Sequence, residues 1–345
     1  MSNRPFGLDI SATTMKAVLL LEEGGKLGVS AIAQSPTPPR GMLSESPFDQ
    51  QDMAESIRKM MDEAKITTPI VNVALPDSQV YTRIIEMPSL SDKDIASAIY
   101  WEAEQYIPLP LANVTLDWNI LKKPANDANG GKMEVLLVGA PTILIDKYQK
   151  VLTLAGLSIN AIETEILATI RPLVTPNHFP NSMVVYIGDL STSFAIIKES
   201  TVVFTYSIAA GGIAINRAIA SGFGFTLAQA EKYKNTYGIS EHSLGGKIGK
   251  ATEPVLTSII IEIKKALAFY SEKYKNDDVP IQQILLSGGN AKLPGIDLFF
   301  AENCGIETVI ANPLRLLGIE KAPKEILDNA FDYTVAVGLA MRAYE

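Results

Sequence analysis

The stretch Phe6-Gly7-Leu8-Asp9-Ile10-Ser11-Ala12-Thr13-Thr14-Met15-Lys16 constrains this chain more than any other. One carboxylate is followed by small hydroxyl residues and, seven positions on, by a lysine. The apolar run Ala17-Val18-Leu19-Leu20-Leu21 comes at once after it. That order reads as strand, tight polar turn, strand. Such a turn presents backbone N–H groups and hydroxyls to phosphate oxygens, with a lysine to neutralise them. Asp9 stands where a carboxylate would orient the waters around Mg²⁺, a cation that keeps several waters and takes few protein ligands. The plain alternative is a β-hairpin with a polar turn and a surface lysine.

Two later stretches shift the balance. Val184-Val185-Tyr186-Ile187-Gly188-Asp189-Leu190-Ser191-Thr192-Ser193-Phe194-Ala195-Ile196-Ile197 repeats the plan of strand, Gly/Asp/hydroxyl turn and strand. Ile284-Leu285-Leu286-Ser287-Gly288-Gly289-Asn290 runs a buried strand into a glycine pair, where backbone approaches a flat ligand closely. Two such turns half a chain apart, with a strand–Gly-Gly turn near the end, resemble the nucleotide fold of actin, sugar kinases and chaperones. The two halves would close on one phosphate chain.

Composition removes several other classes. With 345 residues, 47% of them hydrophobic, the chain has ample material for a large core and is not of disordered type. A net charge of −8 argues against nucleic acid as the main partner. Cys304 is the single cysteine and makes no internal disulfide, which suits a reducing compartment. The N-terminus has no basic segment leading into an apolar core, and no apolar run approaches the ~20 residues that span a bilayer. The expectation is a cytoplasmic protein with no direct membrane insertion. His178 and His242 lack carboxylate or cysteine companions at ligand spacing, so no metal site is expected at them.

In order, residues 5–35 read as three strands, and Pro36–Gly41 breaks them off. Asp52–Ala64 has helical spacing. A block over 87–156 reads as helix, strand, strand and helix, a small α+β insertion. The expected division is 1–86, the insertion 87–156, a return over 157–180, and a second half over 181–345. In that second half Gly211-Gly212 opens a helix, Glu231 and Lys234 sit one turn apart on another, and Pro254 is read as the first residue of a third.

Several motifs together resemble the PilM family, the actin-like cytoplasmic proteins of the type IV pilus inner-membrane platform, which are relatives of the division protein FtsA. They are Gly7-Leu8-Asp9-Ile10 with Lys16, Pro88 followed by Trp101-Glu102-Ala103-Glu104-Gln105-Tyr106-Ile107-Pro108, Ala230-Glu231 with Lys234, and Leu286-Ser287-Gly288-Gly289-Asn290 with Leu293-Pro294-Gly295. The Trp-Glu-Ala-Glu-x-Tyr-Ile-Pro run is the most specific of these. The resemblance implies an actin-like, two-half α/β ATPase fold with subdomain 1A, an inserted 1C, then 2A and 2B.

It also implies ATP with Mg²⁺ between the halves. Asp9 would organise the metal through water, and Ser11, Ala12, Thr13, Thr14 and Lys16 would hold the β-phosphate side. Gly188, Asp189, Ser191 and Thr192, with Gly211 and Gly212, would form the second phosphate turn. Glu231 and Lys234 would face ribose or adenine, and Gly288, Gly289 and Asn290 would line the adenosine. As organiser of the metal, Asp9 would serve catalysis; apart from the resemblance, Glu163 or Glu165, near the end of the first half, is a candidate to position water. The family binds the cytoplasmic N-terminal tail of a PilN-like inner-membrane protein near 1A and 1C, which makes Trp101 and Tyr106 candidate groove residues; self-association is also open.

Two departures bear on chemistry. The family often has Gly where Ser11 stands. The superfamily's second turn has Asp two residues before its Gly, where this chain has Tyr186. Binding is therefore expected to be better kept than hydrolysis, at most a weak ATPase. The competing readings are a sugar-type kinase, an FtsA-like division protein (the chain ends at Glu345 without an amphipathic membrane helix after a linker) and a scaffold that no longer binds nucleotide.

Overall fold

Every residue of Phe6–Ile10 (β1) is buried, and the same holds for Ser182–Ile187 (β9), so both read as central strands covered on both faces. The computed structural model of the chain describes residues 4–124, 131–174, 179–240, 244–276, 279–320 and 322–345. The expectations for His178 and His242 fall outside these residues.

After β1 come β2 (Thr14–Glu23), β3 (Lys26–Pro36), α1 (Pro47–Glu63), β4 (Ile70–Leu75), β5 (Tyr81–Pro88), α2 (Asp92–Tyr106), β6 (Val114–Lys122), β7 (Lys132–Pro141), α3 (Thr142–Leu154), β8 (Ser158–Thr164) and α4 (Glu165–Leu173). After β9 come β10 (Thr192–Lys198), β11 (Thr201–Ile208), α5 (Gly212–Phe223), α6 (Leu227–Tyr237), α7 (Lys247–Lys273), β12 (Gln283–Ser287), α8 (Ile296–Cys304), β13 (Glu307–Ile310), α9 (Pro313–Leu316), α10 (Lys324–Asp328) and α11 (Thr334–Met341).

Two five-stranded sheets have the same plan. The first runs β3-β2-β1-β4-β8 and the second β11-β10-β9-β12-β13. In each, the first three strands are antiparallel and the last two join in parallel. A smaller sheet, β5-β7-β6, has its own core of Ile85, Met87, Ile95, Ile99, Met133 and Val135 beneath α2. Its first strand begins at Tyr81, upstream of the expected insertion. At the other end, α3 faces away from this core: Leu144, Tyr148, Val151 and Leu152 pack with Met53 and Ile57 of α1 on the first sheet.

The last long segment also crosses between halves. All of Thr334–Ala340 is buried, and α11 lies on β1, β2 and α4 rather than on the second sheet alone. A Cβ at Gly7 would come within 2.1 Å of the Ala336 carbonyl, so only glycine lets strand and helix meet there. Asn72 Nδ2 completes the seam by donating to the Leu339 carbonyl at 2.8 Å. The assignment of 181–345 to the second half therefore separates α11 from much of what it packs on. Among the described residues no helix is long and apolar enough to cross a membrane.

Candidate functional site

Both central hairpins end at the same place, between the two large sheets. In the first, Asp9 of β1 stands opposite Lys16 of β2, and the turn between them closes with Ser11 N–H donating to the Thr14 carbonyl at 2.9 Å. Both charged side chains are buried. Lys16 Nζ lies 2.9 Å from Asp332 Oδ1 and donates to Thr14 Oγ1 at 3.1 Å. Burial opposes the charge on Lys16, but Asp332 and Asp9 outweigh it and hold its pKa above the ordinary value. Burial pushes the Asp9 carboxyl up to about 6, Lys16 pulling the other way and Asp332 and Asp189 adding to the rise.

The second turn closes in the same manner, Gly188 N–H donating to the Ser191 carbonyl at 2.9 Å. The start of α5 clamps it: the N–H groups of Gly212 and Ile213 donate to the carbonyls of Gly188 and Asp189, each at 2.9 Å. Gly211 and Gly212 thus support the turn from behind. Thr192 Oγ1 donates to the Ala210 carbonyl at 2.6 Å, and Ser191 is buried beside it. From this clamped turn Asp189 reaches to the first. Its Oδ2 accepts from Thr13 N–H at 2.9 Å and from Thr13 Oγ1 at 2.6 Å.

The third component is the Gly-Gly turn. Gly288 N–H donates to the Phe331 carbonyl, and at Gly289 an added Cβ would lie 2.6 Å from Asp332 Oδ1. Gly289 is what lets Asp332 reach Lys16. Asn290 accepts from Lys234 Nζ at 2.7 Å and donates through Nδ2 to the Gly188 carbonyl at 3.0 Å. Lys234 is therefore buried, and burial lowers its pKa to about 8. Glu231, one turn earlier, is exposed. The two are not a solvated surface pair.

Glu163 is not brought to this site. It receives Arg171 on both oxygens, at 2.6 and 2.8 Å, and Arg342 at 3.1 Å, and so ties β8 to α4 and the residues after α11. Two positions apart on one strand, Glu163 and Glu165 would share a face, but β8 ends at Thr164 and Glu165 opens α4, which sends it the other way. Glu165 borders a cavity of about 70 Å³ with Ser11, Tyr148, Asp189 and Ser191. Burial, then the neighbouring Asp77, raises its pKa well above the usual carboxylate value, and burial lifts Asp77 to about 6. Asp77 N–H donates to Glu165 Oε2 at 3.3 Å.

Sequence reasoning missed Asp332 and Asp77. Neither has a local signal, one lying in an apolar stretch and the other after Pro76 in a short turn. Trp101 and Tyr106 are 69% and 42% exposed, which removes core packing as the reason for them.

The family model for type IV pilus assembly protein PilM matches residues 7–344. A solved PilM-PilN type IV pilus biogenesis complex is similar at 27% identity and a TM-score of 0.85, with 99% of each chain covered. Ethanolamine utilization protein EutJ from Carboxydothermus hydrogenoformans shares the fold at 15% identity and a TM-score of 0.56, over 98% of this chain and 89% of EutJ. MreB 5 of Spiroplasma citri bound to AMPPNP shares it at 13% identity and 0.52, over 98% and 95%. Cell division protein FtsA of Streptococcus pneumoniae serotype 2 (strain D39) is 22% identical over an alignment 344 positions long, gaps included, with 89% of this chain and 75% of FtsA covered. The fold is the actin-like one, and with the family model running through both hairpins and the glycine turn, this chain belongs to the type IV pilus assembly protein PilM family.

Proposed function

We propose that this protein is a nucleotide-binding scaffold of the type IV pilus inner-membrane platform, holding the cytoplasmic N-terminal tail of a PilN-like membrane protein. The observation that carries this reading is the likeness to the PilM-PilN complex, which runs through 99% of both chains. The partner would place the protein at the inner membrane. Trp101 and Tyr106, exposed on the small β5-β7-β6 unit, are the side chains we assign to partner contact.

ATP would lie between the halves. Ser11 to Thr14 would face its phosphates from one side and Gly188 to Thr192 from the other, with Gly288, Gly289 and Asn290 toward the adenosine. Lys234 would act there through Asn290, because its ammonium is closed on that side chain. Among the described residues no three acidic side chains converge to hold an ion directly, so Mg²⁺, which keeps several waters and takes few protein ligands, would be held through water by Asp9. Burial is the main cause of the raised Asp9 pKa, so a cation nearby would favour its charged form. When bound, the ion would neutralise phosphate oxygens; Asp9 would hold its waters.

Hydrolysis has little support from this chain's own groups. Tyr186 occupies the position of the second carboxylate. Glu165, which does border the cavity, holds its proton more tightly than a free carboxyl. While it keeps that proton the carboxyl takes none from water, although once ionised a raised pKa makes it the better base. Tyr186 also weighs against a sugar kinase, which needs a base beside that turn.

Thermal unfolding with and without Mg-ATP, beside Asp9→Ala, tests the cleft. Ligand at 1,000 times its dissociation constant adds about 4 kcal/mol, several degrees for a chain of this length. We expect the shift in wild type and its loss in Asp9→Ala. If neither protein shifts, and heating releases no nucleotide into the supernatant, the cleft assignment fails. Fluorescence anisotropy with a labelled PilN-like tail peptide tests the scaffold: saturable binding weakened about tenfold by Trp101→Ala is expected. No binding by wild type would sink it.

A further inference from the structure

Asp189 is a fixed acid on a clamped turn. Its carbonyl is held by Ile213 N–H, its neighbour Gly188 by Gly212 N–H and by Ser191, and its carboxylate crosses to the other half of the molecule. There one oxygen, Oδ2, takes both the N–H and the hydroxyl of Thr13, at 2.9 and 2.6 Å. An anionic oxygen receiving a backbone N–H and a hydroxyl from a polar turn is the arrangement a phosphate oxygen would adopt. We propose that Asp189 is a built-in occupant of the anion seat on the first turn, so that an incoming phosphate chain must displace it and enters only when it brings its own cation. This inference rests on the reading that a nucleotide enters the cleft.

Charge in the cleft points the same way. Asp9, Asp189, Asp332 and Glu165 gather at the meeting of the hairpins, and Lys16, the ammonium among them, is already closed on Asp332 at 2.9 Å. Lys234 is farther back, donating to Asn290. A polyphosphate without metal would add negative charge beside a carboxylate it has just pushed off Thr13. With a divalent cation, the displaced carboxylate gains a positive neighbour instead. Asp189 would thus select metal-bound nucleotide over free nucleotide and keep the halves latched until it arrives.

The test is calorimetric titration with ADP, in excess EDTA and in excess Mg²⁺, on wild type, Asp189→Asn and Asp189→Ala, each first shown to unfold cooperatively. Asn keeps an acceptor for Thr13 but removes the charge; Ala removes both. We expect wild type to bind ADP with Mg²⁺ and much more weakly in EDTA. Both variants should bind metal-free ADP about tenfold more tightly than wild type does. Equal metal-free affinity in all three proteins would overturn the role of Asp189 and leave the nucleotide cleft standing. No binding by any of them, with or without metal, would overturn the cleft reading and this inference with it. Hydrogen exchange at the Thr13 amide without nucleotide supplies a second readout: it should be protected in wild type and exchange faster in Asp189→Ala. An amide equally fast in both would show that the latch does not form.

Discussion

The two hairpin turns share one backbone and differ in where they keep charge. In the first, the closing pair Ile10–Met15 is followed by Asp9 opposite Lys16; in the second, Ile187–Thr192 is followed by Tyr186 opposite Ser193. Each turn is closed by the same bond at 2.9 Å, Ser11 to Thr14 and Gly188 to Ser191. Tyr186 thus corresponds to Asp9, Ser193 to Lys16, and Asp189 to Ala12. The first turn buries an ion pair in its strands and leaves its tip neutral. The second has neutral strands and carries its carboxylate at the tip, aimed at the other half. Duplicated scaffolds of this kind leave chemistry to be assigned one position at a time, and here the carboxylate at the second tip bonds the first turn directly, beside the Lys16–Asp332 pair.

The comparison breaks most sharply at Lys16. Lys16→Ser gives the first turn the residue found at the equivalent place in the second. It leaves the buried Asp9 and the half-buried Asp332 without their cation, and removing one partner of a buried pair costs about 3–5 kcal/mol. Urea unfolding monitored by circular dichroism would show this as a lower midpoint. A loss under about 1 kcal/mol would mean that the buried ammonium is not what makes the first turn tolerable.

The next effect is in the pH dependence of the ligand-free protein. Asp9 and Asp77 are raised to about 6 in the fold, and Glu165 is raised as well. Between the unfolded carboxylate range and about pH 6 the folded state binds more protons than the unfolded one. Stability therefore falls as pH rises through that window, the Asp9 and Asp77 contributions ending above it. Asp77→Asn should flatten the fall by on the order of 1–3 kcal/mol, read as unfolding free energy at pH 4.5 and pH 7.5. An unchanged slope would remove Asp77 as a contributor. Lys234, lowered to about 8, works in a separate window: its burial penalty is relieved as pH rises above 8, so it leaves the acid slope untouched.

Local alternation and turn chemistry made the hairpins readable, since their residues lie together in sequence. Gly288-Gly289 was readable for the same reason. What could not be read is whatever depends on contacts between distant segments. Asp332 meets Lys16 across more than three hundred residues, and the stretch around it reads only as the start of an apolar helix. Glu163 and Glu165 are equivalent on paper; the end of β8 at Thr164 and the arginines at 171 and 342 decide which one faces the cleft. Pro254 misled in another way. The helix α7 begins at Lys247 and runs through it, because the stripe Ile248, Leu256, Ile259 and Ile263 is buried on both sides of the proline. One lost N–H bond does not outweigh that burial. Where the small unit begins and ends is not legible locally, because β5 and α3 are ordinary amphipathic segments, and only packing shows which core each one faces.

The smallest effect separates the two turns most cleanly. Tyr186 is buried, and burial, then the carboxylates of Asp9, Glu165 and Asp189, push its phenol well above the ordinary value, so it stays neutral where Asp9 carries charge. Its ring packs with Ala74, Ile166, Val184 and Leu285. Tyr186→Phe keeps that packing and removes one hydroxyl, which should cost about 0.5–1.5 kcal/mol. Tyr186→Asp instead gives the second turn the residue of the first, but without a lysine at 193 to pair with. It adds a buried carboxylate beside three others and should lower the denaturation midpoint further. Mg²⁺ should restore part of that loss in Tyr186→Asp and leave Tyr186→Phe unmoved, because only the former adds a hard oxygen ligand. A Mg²⁺ response that is the same in both variants would show that the cation is held by the first turn alone, and that the second turn's neutral strand pair has no bearing on it.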